Sequence, residues 1–204
     1  MDPNSIRDKF GGDYIADECT FKMGIDQRFT VHFAERFKDL SVLETCTGAG
    51  FSTISLARTT KHVFTVEIDK SHQQQAISNV EKAGLSTCVT FILGNILDES
   101  ILRKLPSVDA AFIDPDWLST GPDHVYRFRR SNTQPPADVV LYKIFEKTKN
   151  VAIVLPPLIE VKEFDNLPEH EREKLYIGER HELFCLYFGK LIKSVGETEF
   201  RMPK

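Results

Sequence analysis

From Val42 onward the chain switches repeatedly between two periods of hydrophobic and polar positions. Short apolar runs predict strands at 42–45, 62–67, 88–93, 108–113 and 151–155. Apolar residues at helical spacing predict helices near 51–59, 70–83, 98–104 and 136–148. Alternation of this kind predicts an α/β fold with a mostly parallel sheet and helices on both faces. Ligands of such sheets lie at the carboxyl ends of the strands. The tail departs from the pattern: residues 173–179 and 181–188 read as an antiparallel hairpin at the sheet edge.

Residues 1–40 precede the first strand. Gly11-Gly12-Asp13 marks a turn, and Thr30 is placed to cap a helix in which Val31, Ala34 and Phe37 share a face. The expected organisation is an N-terminal arm and helix over 1–40, followed by one domain over 41–204. Such an arm either closes over a ligand or covers a sheet edge.

Composition sets bounds on this picture. A chain of 204 residues with 41% hydrophobic content supports one core of ordinary size. A net charge of −4 argues against bulk nonspecific nucleic-acid binding, though not against a local basic face. No apolar run approaches a membrane span, and the N-terminus shows no secretory core, so the expectation is a cytoplasmic protein with no membrane partner. Cys19, Cys46, Cys88 and Cys185 are widely spaced. They read as free buried thiols in a reducing compartment, with no metal site.

The first candidate chemistry lies in the stretch Val42 to Thr53. A short strand runs into Glu44, then into a turn with Gly48 and Gly50, then into a helix start. Neither glycine has a Cβ, so the backbone can turn sharply and approach a ligand closely. Thr53 stands where the dinucleotide fingerprint has its third glycine, and no phosphate-binding lysine follows. The second strand ends in Glu67-Ile68-Asp69. Glu67 is placed to accept two ribose hydroxyls, and Asp69 to cap the next helix. Asn95, after the third strand, is either an adenine contact or a turn residue. Loop and acid together leave two cofactors open, a nicotinamide dinucleotide and S-adenosylmethionine.

The fourth strand decides between them. It runs into Asp114-Pro115-Asp116-Trp117, which holds the chain's only tryptophan. This content suits methyl transfer to a planar amine. The lone pair of such an amine is delocalised, so two acceptors on its N–H groups are needed to hold it in line and favour the cationic transition state. The Asp114 carboxylate and the Pro115 carbonyl form such a pair, with proline fixing the backbone. Trp117 offers a stacking face worth on the order of 1–3 kcal/mol per base. Arg127, Arg129 and Arg130, interleaved with Tyr126 and Phe128, are placed to meet phosphates, and His124 is a further substrate candidate.

At these residues the chain resembles the trimethylguanosine synthase family of RNA cap guanine-N2 methyltransferases, from about Gly12 to Lys193. The matching stretches are Glu44 to Thr53, Glu67 with Asp69, Asp114 to His124, Gly24 to Thr30 and Tyr187 to Ile192. The resemblance implies a Rossmann-like class I methyltransferase with a seven-stranded, mostly parallel sheet and a C-terminal antiparallel hairpin. It implies S-adenosylmethionine as cofactor, held by Glu44, Thr47, Gly48, Gly50, Thr53, Glu67, Asn95 and Asp114. Asp114, Pro115 and Trp117 are the implied catalytic group, with RNA as partner. Trp117, Asp116, His124, Arg127, Arg129 and Arg130 are the implied substrate contacts. Asp116 stands where the family has a second proline, Leu118-Ser119-Thr120 where it has one glycine, and Asn95 where it has an acid. Asp116→Pro, which restores the family sequence, is expected to be tolerated. The altered loop also keeps open a non-catalytic RNA- or cofactor-binding module, or a methyltransferase acting on a small molecule or a protein.

Overall fold

A computed structural model describes residues 1–117 and 125–204. Their eight strands form one mixed sheet flanked by helices. The chain divides into two compact units, Met1–Ala110 and Ala111–Lys204.

In the first unit, three parallel strands stand in the order β3, β2, β1. These are β1 (Ser41–Thr45), β2 (His62–Glu67) and β3 (Val89–Leu93). Val42, Leu43, Val63 and Val66 are buried, as expected of strands covered on both faces. The crossovers are α4 (Phe51–Ala57) and α5 (Lys70–Lys82). Asp69 caps α5 by accepting the Ser71 and His72 N–H groups, as its position in the sequence suggested. A short helix α6 (Glu99–Lys104) follows β3.

Ahead of β1 the arm holds three helices, α1 (Pro3–Phe10), α2 (Glu18–Met23) and α3 (Gln27–Ala34). Two of them were not expected. Each is short, and each depends on local chemistry. Asp2 caps α1, a proline occupies its first turn, and Gly11 ends it at φ 72°. Asp17 and Thr20 form a reciprocal capping box on α2. Asp26, not Thr30, caps α3. Thr30 lies inside that helix, bonded to the Ser55 hydroxyl, and Val31 is exposed. A β-hydroxyl in a helix interior can bond a neighbour just as it can cap, so the residue type alone misplaced the helix start by one turn.

The second unit holds β4 (Ala110–Ile113), which begins at the boundary, then α7 (Ala137–Phe145) and β5 (Val151–Leu155). The hairpin β6 (His170–Ile177) and β7 (Arg180–Phe188) follows, then β8 (Gly196–Met202). The strand order is β4, β5, β7, β6, β8. β4 and β5 are parallel, β7 is antiparallel to both β5 and β6, and β8 is parallel to β6. The sheet therefore has eight strands, not the expected seven. The eighth was hidden because Glu197, Glu199 and Arg201 make it charge-rich. Only Thr198, Phe200 and Met202 turn inward.

The thiols are also less uniform than expected. None of the four cysteines is in a disulfide, but Cys19 is exposed, Cys46 and Cys88 are half-buried, and only Cys185 is buried. No described helix is long and apolar enough to cross a membrane.

Candidate active site

The glycine loop is built from beneath. Glu44 and Thr53 are buried, and the Thr53 hydroxyl donates to Glu44 Oε2 at 2.6 Å, tying β1 to α4. Burial pushes the Glu44 carboxyl up to about 7, against the pull of hydroxyls from Thr53 and Thr65; the negative Glu67 adds to the rise. Thr47 is buried and its hydroxyl bonds that of Thr65 on β2. These four side chains hold the loop in place from the core side.

The loop backbone is left-handed at Cys46 (φ 63°), Gly48 (φ 54°) and Gly50 (φ 83°). The two glycines have different reasons to be there. A Cβ at Gly50 would stand 3.0 Å from the Ala76 Cβ on α5, so this glycine lets two helices approach. A Cβ at Gly48 would meet nothing within 4 Å, so here the backbone faces open space.

Glu67 ends β2 and is buried. Its Oε2 accepts the Gly48 N–H at 2.8 Å and its Oε1 the Asp69 N–H at 2.9 Å. A carboxylate has about four acceptor positions, so two remain for hydroxyl donors. Ile68 beside it is 67% exposed, an apolar surface that sequence reasoning did not single out. Asn95 serves as a turn residue, its Oδ1 accepting the Leu97 N–H at 2.9 Å. An open glycine backbone, a half-used carboxylate and an exposed isoleucine fit a ribonucleoside ligand.

Asn79 on α5 was missed as well. It is fully buried, and its amide bonds both Ile15 in the arm and the Ala49 carbonyl in the loop. A polar residue inside the apolar stripe of Ala76 and Val80 was the available signal.

In the second unit, Asp114 directly follows β4 and is half-buried, while Pro115 is buried. Asp116 pairs with Gln134 through two backbone bonds of 2.8 Å each, Asp116 N–H to Gln134 O and Gln134 N–H to Asp116 O. That pairing counts against the expectation that proline is tolerated at 116, since proline has no N–H to donate. Trp117 is half-buried and meets Tyr126 edge-on, with centroids 6.2 Å apart and planes at 80°. Tyr126 is itself fixed by backbone bonds to Leu158 and Glu160.

The basic segment differs from its expected form. Tyr126 and Phe128 are buried, so they do not interleave with the arginines on the surface. Every second residue of the segment faces the core, which its charge concealed. The Arg127 guanidinium pairs with the buried Glu163, whose other oxygen accepts the Arg129 N–H at 2.8 Å. Despite the cost of burial, these bonds hold the Glu163 carboxyl below its ordinary value. Arg129 and Arg130 are exposed. His124 and Leu118-Ser119-Thr120 lie outside the described residues. Among the described residues, no group of three or more His, Cys, Asp or Glu side chains is arranged to hold a metal ion.

A sequence profile of the RNA cap guanine-N2 methyltransferases matches residues 40–182. The chain belongs to that family. Solved methyltransferase structures share the fold of this family member. A protein of Porphyromonas gingivalis W83 described as a methyltransferase superposes with a TM-score of 0.75 at 14% identity, over 94% of this chain and 48% of its own. The chain thus spans about half the length of that relative. The O-methyltransferase TomG of Streptomyces achromogenes, solved with SAM, gives 0.56 at 15% identity over 86% of this chain and 91% of its own. TrmK of M. capricolum, solved with S-adenosyl-homocysteine, gives 0.54 at 14% identity over 85% and 70%.

Proposed function

We propose that this chain is an S-adenosylmethionine-dependent N-methyltransferase that methylates the exocyclic N2 amine of guanine in RNA. The observation that carries the reading is Asp114-Pro115-Asp116-Trp117 at the end of β4, in a chain whose family acts on guanine N2. When bound, S-adenosylmethionine supplies a methyl group on a sulfonium, an electrophile that needs only a positioned nucleophile.

The residues of this chain supply the rest. Glu67 would hold the ribose hydroxyls with its remaining acceptor positions. Gly48 would let the backbone come close to the ligand, and Ile68 would offer its apolar surface to the adenine. Asp114 Oδ and the Pro115 carbonyl would accept the two amine N–H groups, which would hold the nitrogen lone pair ready for alkylation and offset the charge it gains. The proton acidified by alkylation leaves to solvent or to Asp114, so no strong base is required. Trp117, held by Tyr126, stacks on the purine. Arg129 and Arg130 offer charge to the phosphates, whereas the charge of Arg127 is matched by Glu163.

The test is incubation with methyl-labelled S-adenosylmethionine and total RNA, followed by nucleoside analysis. Labelled N2-methylguanosine is the expected product. Label in another nucleoside sinks the N2 assignment, and binding of RNA and cofactor without transfer to any RNA, protein or small-molecule pool supports the binding-module reading instead.

A further inference from the structure

Asn79 is fully buried on α5, where an unbonded amide would be costly. It is not unbonded. Nδ2 donates to the Ala49 carbonyl at 2.9 Å and to the Ile15 carbonyl at 2.8 Å. Oδ1 accepts the Ile15 N–H at 2.7 Å. Ala49 is the residue between Gly48 and Gly50, and Ile15 lies in the arm. One side chain thus joins three segments far apart in sequence. The match is specific to a primary amide, which has two donor hydrogens and an acceptor. Aspartate would present oxygen to two carbonyls.

The other ties of the arm fall in the same place. The Phe10 ring stacks on that of Phe51, the first residue of α4. Ile6, Phe10, Ala49 and Phe51 form one buried cluster, against which Tyr14, Ala16 and Phe21 pack. The Thr20 hydroxyl donates to Gln75 Oε1 at 2.9 Å, and Gln75 Nε2 donates to Asp17 at 2.7 Å. The arm therefore grips the glycine loop and the two helices that follow it.

We propose that Asn79 is a positioning residue for the glycine loop, through which the N-terminal arm and the loop become ordered as one unit. The cofactor consequence rests on reading that loop as the S-adenosylmethionine cradle. An ordered arm then sets cofactor affinity without touching the reacting atoms.

The experiment compares full-length wild type with Asn79→Asp and Phe10→Ala by amide hydrogen exchange, and by calorimetry with S-adenosylhomocysteine. Both variants should speed exchange in the arm around Ile15 and in the loop at 46–51, while β5 and β7 stay protected. The Kd for S-adenosylhomocysteine should rise by about tenfold, the scale of one lost buried hydrogen bond. The KM for the cofactor should rise with it while kcat at saturating cofactor stays within about twofold, a split that loss of folded protein alone does not produce. Should Asn79→Asp fail to fold, Gln75→Ala, which cuts the second tie, is expected to show the same joint loosening more weakly. Faster exchange in the arm with an unchanged loop and an unchanged Kd overturns the proposal. If wild type does not bind S-adenosylhomocysteine, the cofactor reading fails, and joint or separate loosening of arm and loop still decides the coupling.

Discussion

The Phe10 ring lies flat on the Phe51 ring, with centroids 3.5 Å apart and planes 7° apart. Gly24 makes room for both: a Cβ there would come within 2.8 Å of each ring. Its backbone is extended at φ −61°, so the restriction is one of space and not of conformation. Gly24→Ala is therefore expected to cost about 1–3 kcal/mol by overpacking, read as a lowered urea midpoint with unchanged slope. A midpoint equal to wild type would mean that the rings part without penalty.

Glu44 gives a pH signature. Its carboxyl titrates near 7 in the folded protein and near 4.5 when exposed. Below 4.5 both states are protonated and burial carries no penalty. Between 4.5 and 7 only the unfolded chain ionises, so stability falls as pH rises, and above 7 the loss is complete. Glu44→Gln keeps an acceptor for Thr53 and has nothing to titrate. Its stability relative to wild type should rise between pH 4.5 and pH 7.5, by on the order of 3 kcal/mol. Parallel pH curves from denaturant unfolding would contradict this.

At position 116 the family sequence is not a safe guide. Asp116→Pro removes the N–H bonded to Gln134 O and should cost about 1–3 kcal/mol. Chemical denaturation measures this directly. Stability equal to wild type would show that the pairing with Gln134 contributes nothing.

The three arginines should separate in RNA binding. Replacing Arg129 or Arg130 with alanine should lower the slope of log Kd against log salt by roughly 0.7–0.9 each. Arg127→Ala should leave that slope nearly unchanged, because its guanidinium already faces Glu163. Filter-binding titrations at several salt concentrations distinguish them, and a slope change at Arg127 equal to the others would reverse the assignment.

Turnover should divide the residues of the loop after β4. Asp114→Ala should lower kcat on the order of 100-fold with a small change in KM, since its acceptor matters most as the amine gains charge. Trp117→Ala should damage both, because a stacked base is held in the ground state too. Single-turnover methylation of guanine-containing RNA at saturating cofactor reads the difference, and an Asp114→Ala variant of full activity would remove this loop from the chemistry.

The alternating core was legible because period alone identifies it: Val42 to Thr45, His62 to Glu67 and Val151 to Leu155 read as strands and are strands. The turn at Gly48 and Gly50 and the place of Asp114 at the end of β4 were legible, because a glycine pair between an apolar run and a helical pattern, and an acid closing an apolar run, mark those positions. What stayed hidden depended on partners distant in sequence. Nothing around Glu163 announces that it will meet Arg127 and the Arg129 backbone, 36 and 34 residues away. The buried sides of Tyr126 and Phe128 were masked by the arginines between them. Asp26 and Thr30 are both good capping residues; Asp26 takes the cap, and the Thr30 hydroxyl inside the helix bonds Gln27 O and Ser55 instead.

The unexpected strand β8 has a consequence for how this protein behaves in crowded solution. It is the last strand of the sheet, and along it Glu197, Glu199 and Arg201 face outward at every second position. An open strand edge is a template on which another chain can pair. Here any strand docking beside β8 must meet a row of charges, already neutralised in part by Arg172 and Lys174 of the same sheet. The charges along β8 thus guard against self-association, and a chain in which those three residues become valine should form aggregates under conditions where the native chain stays dispersed.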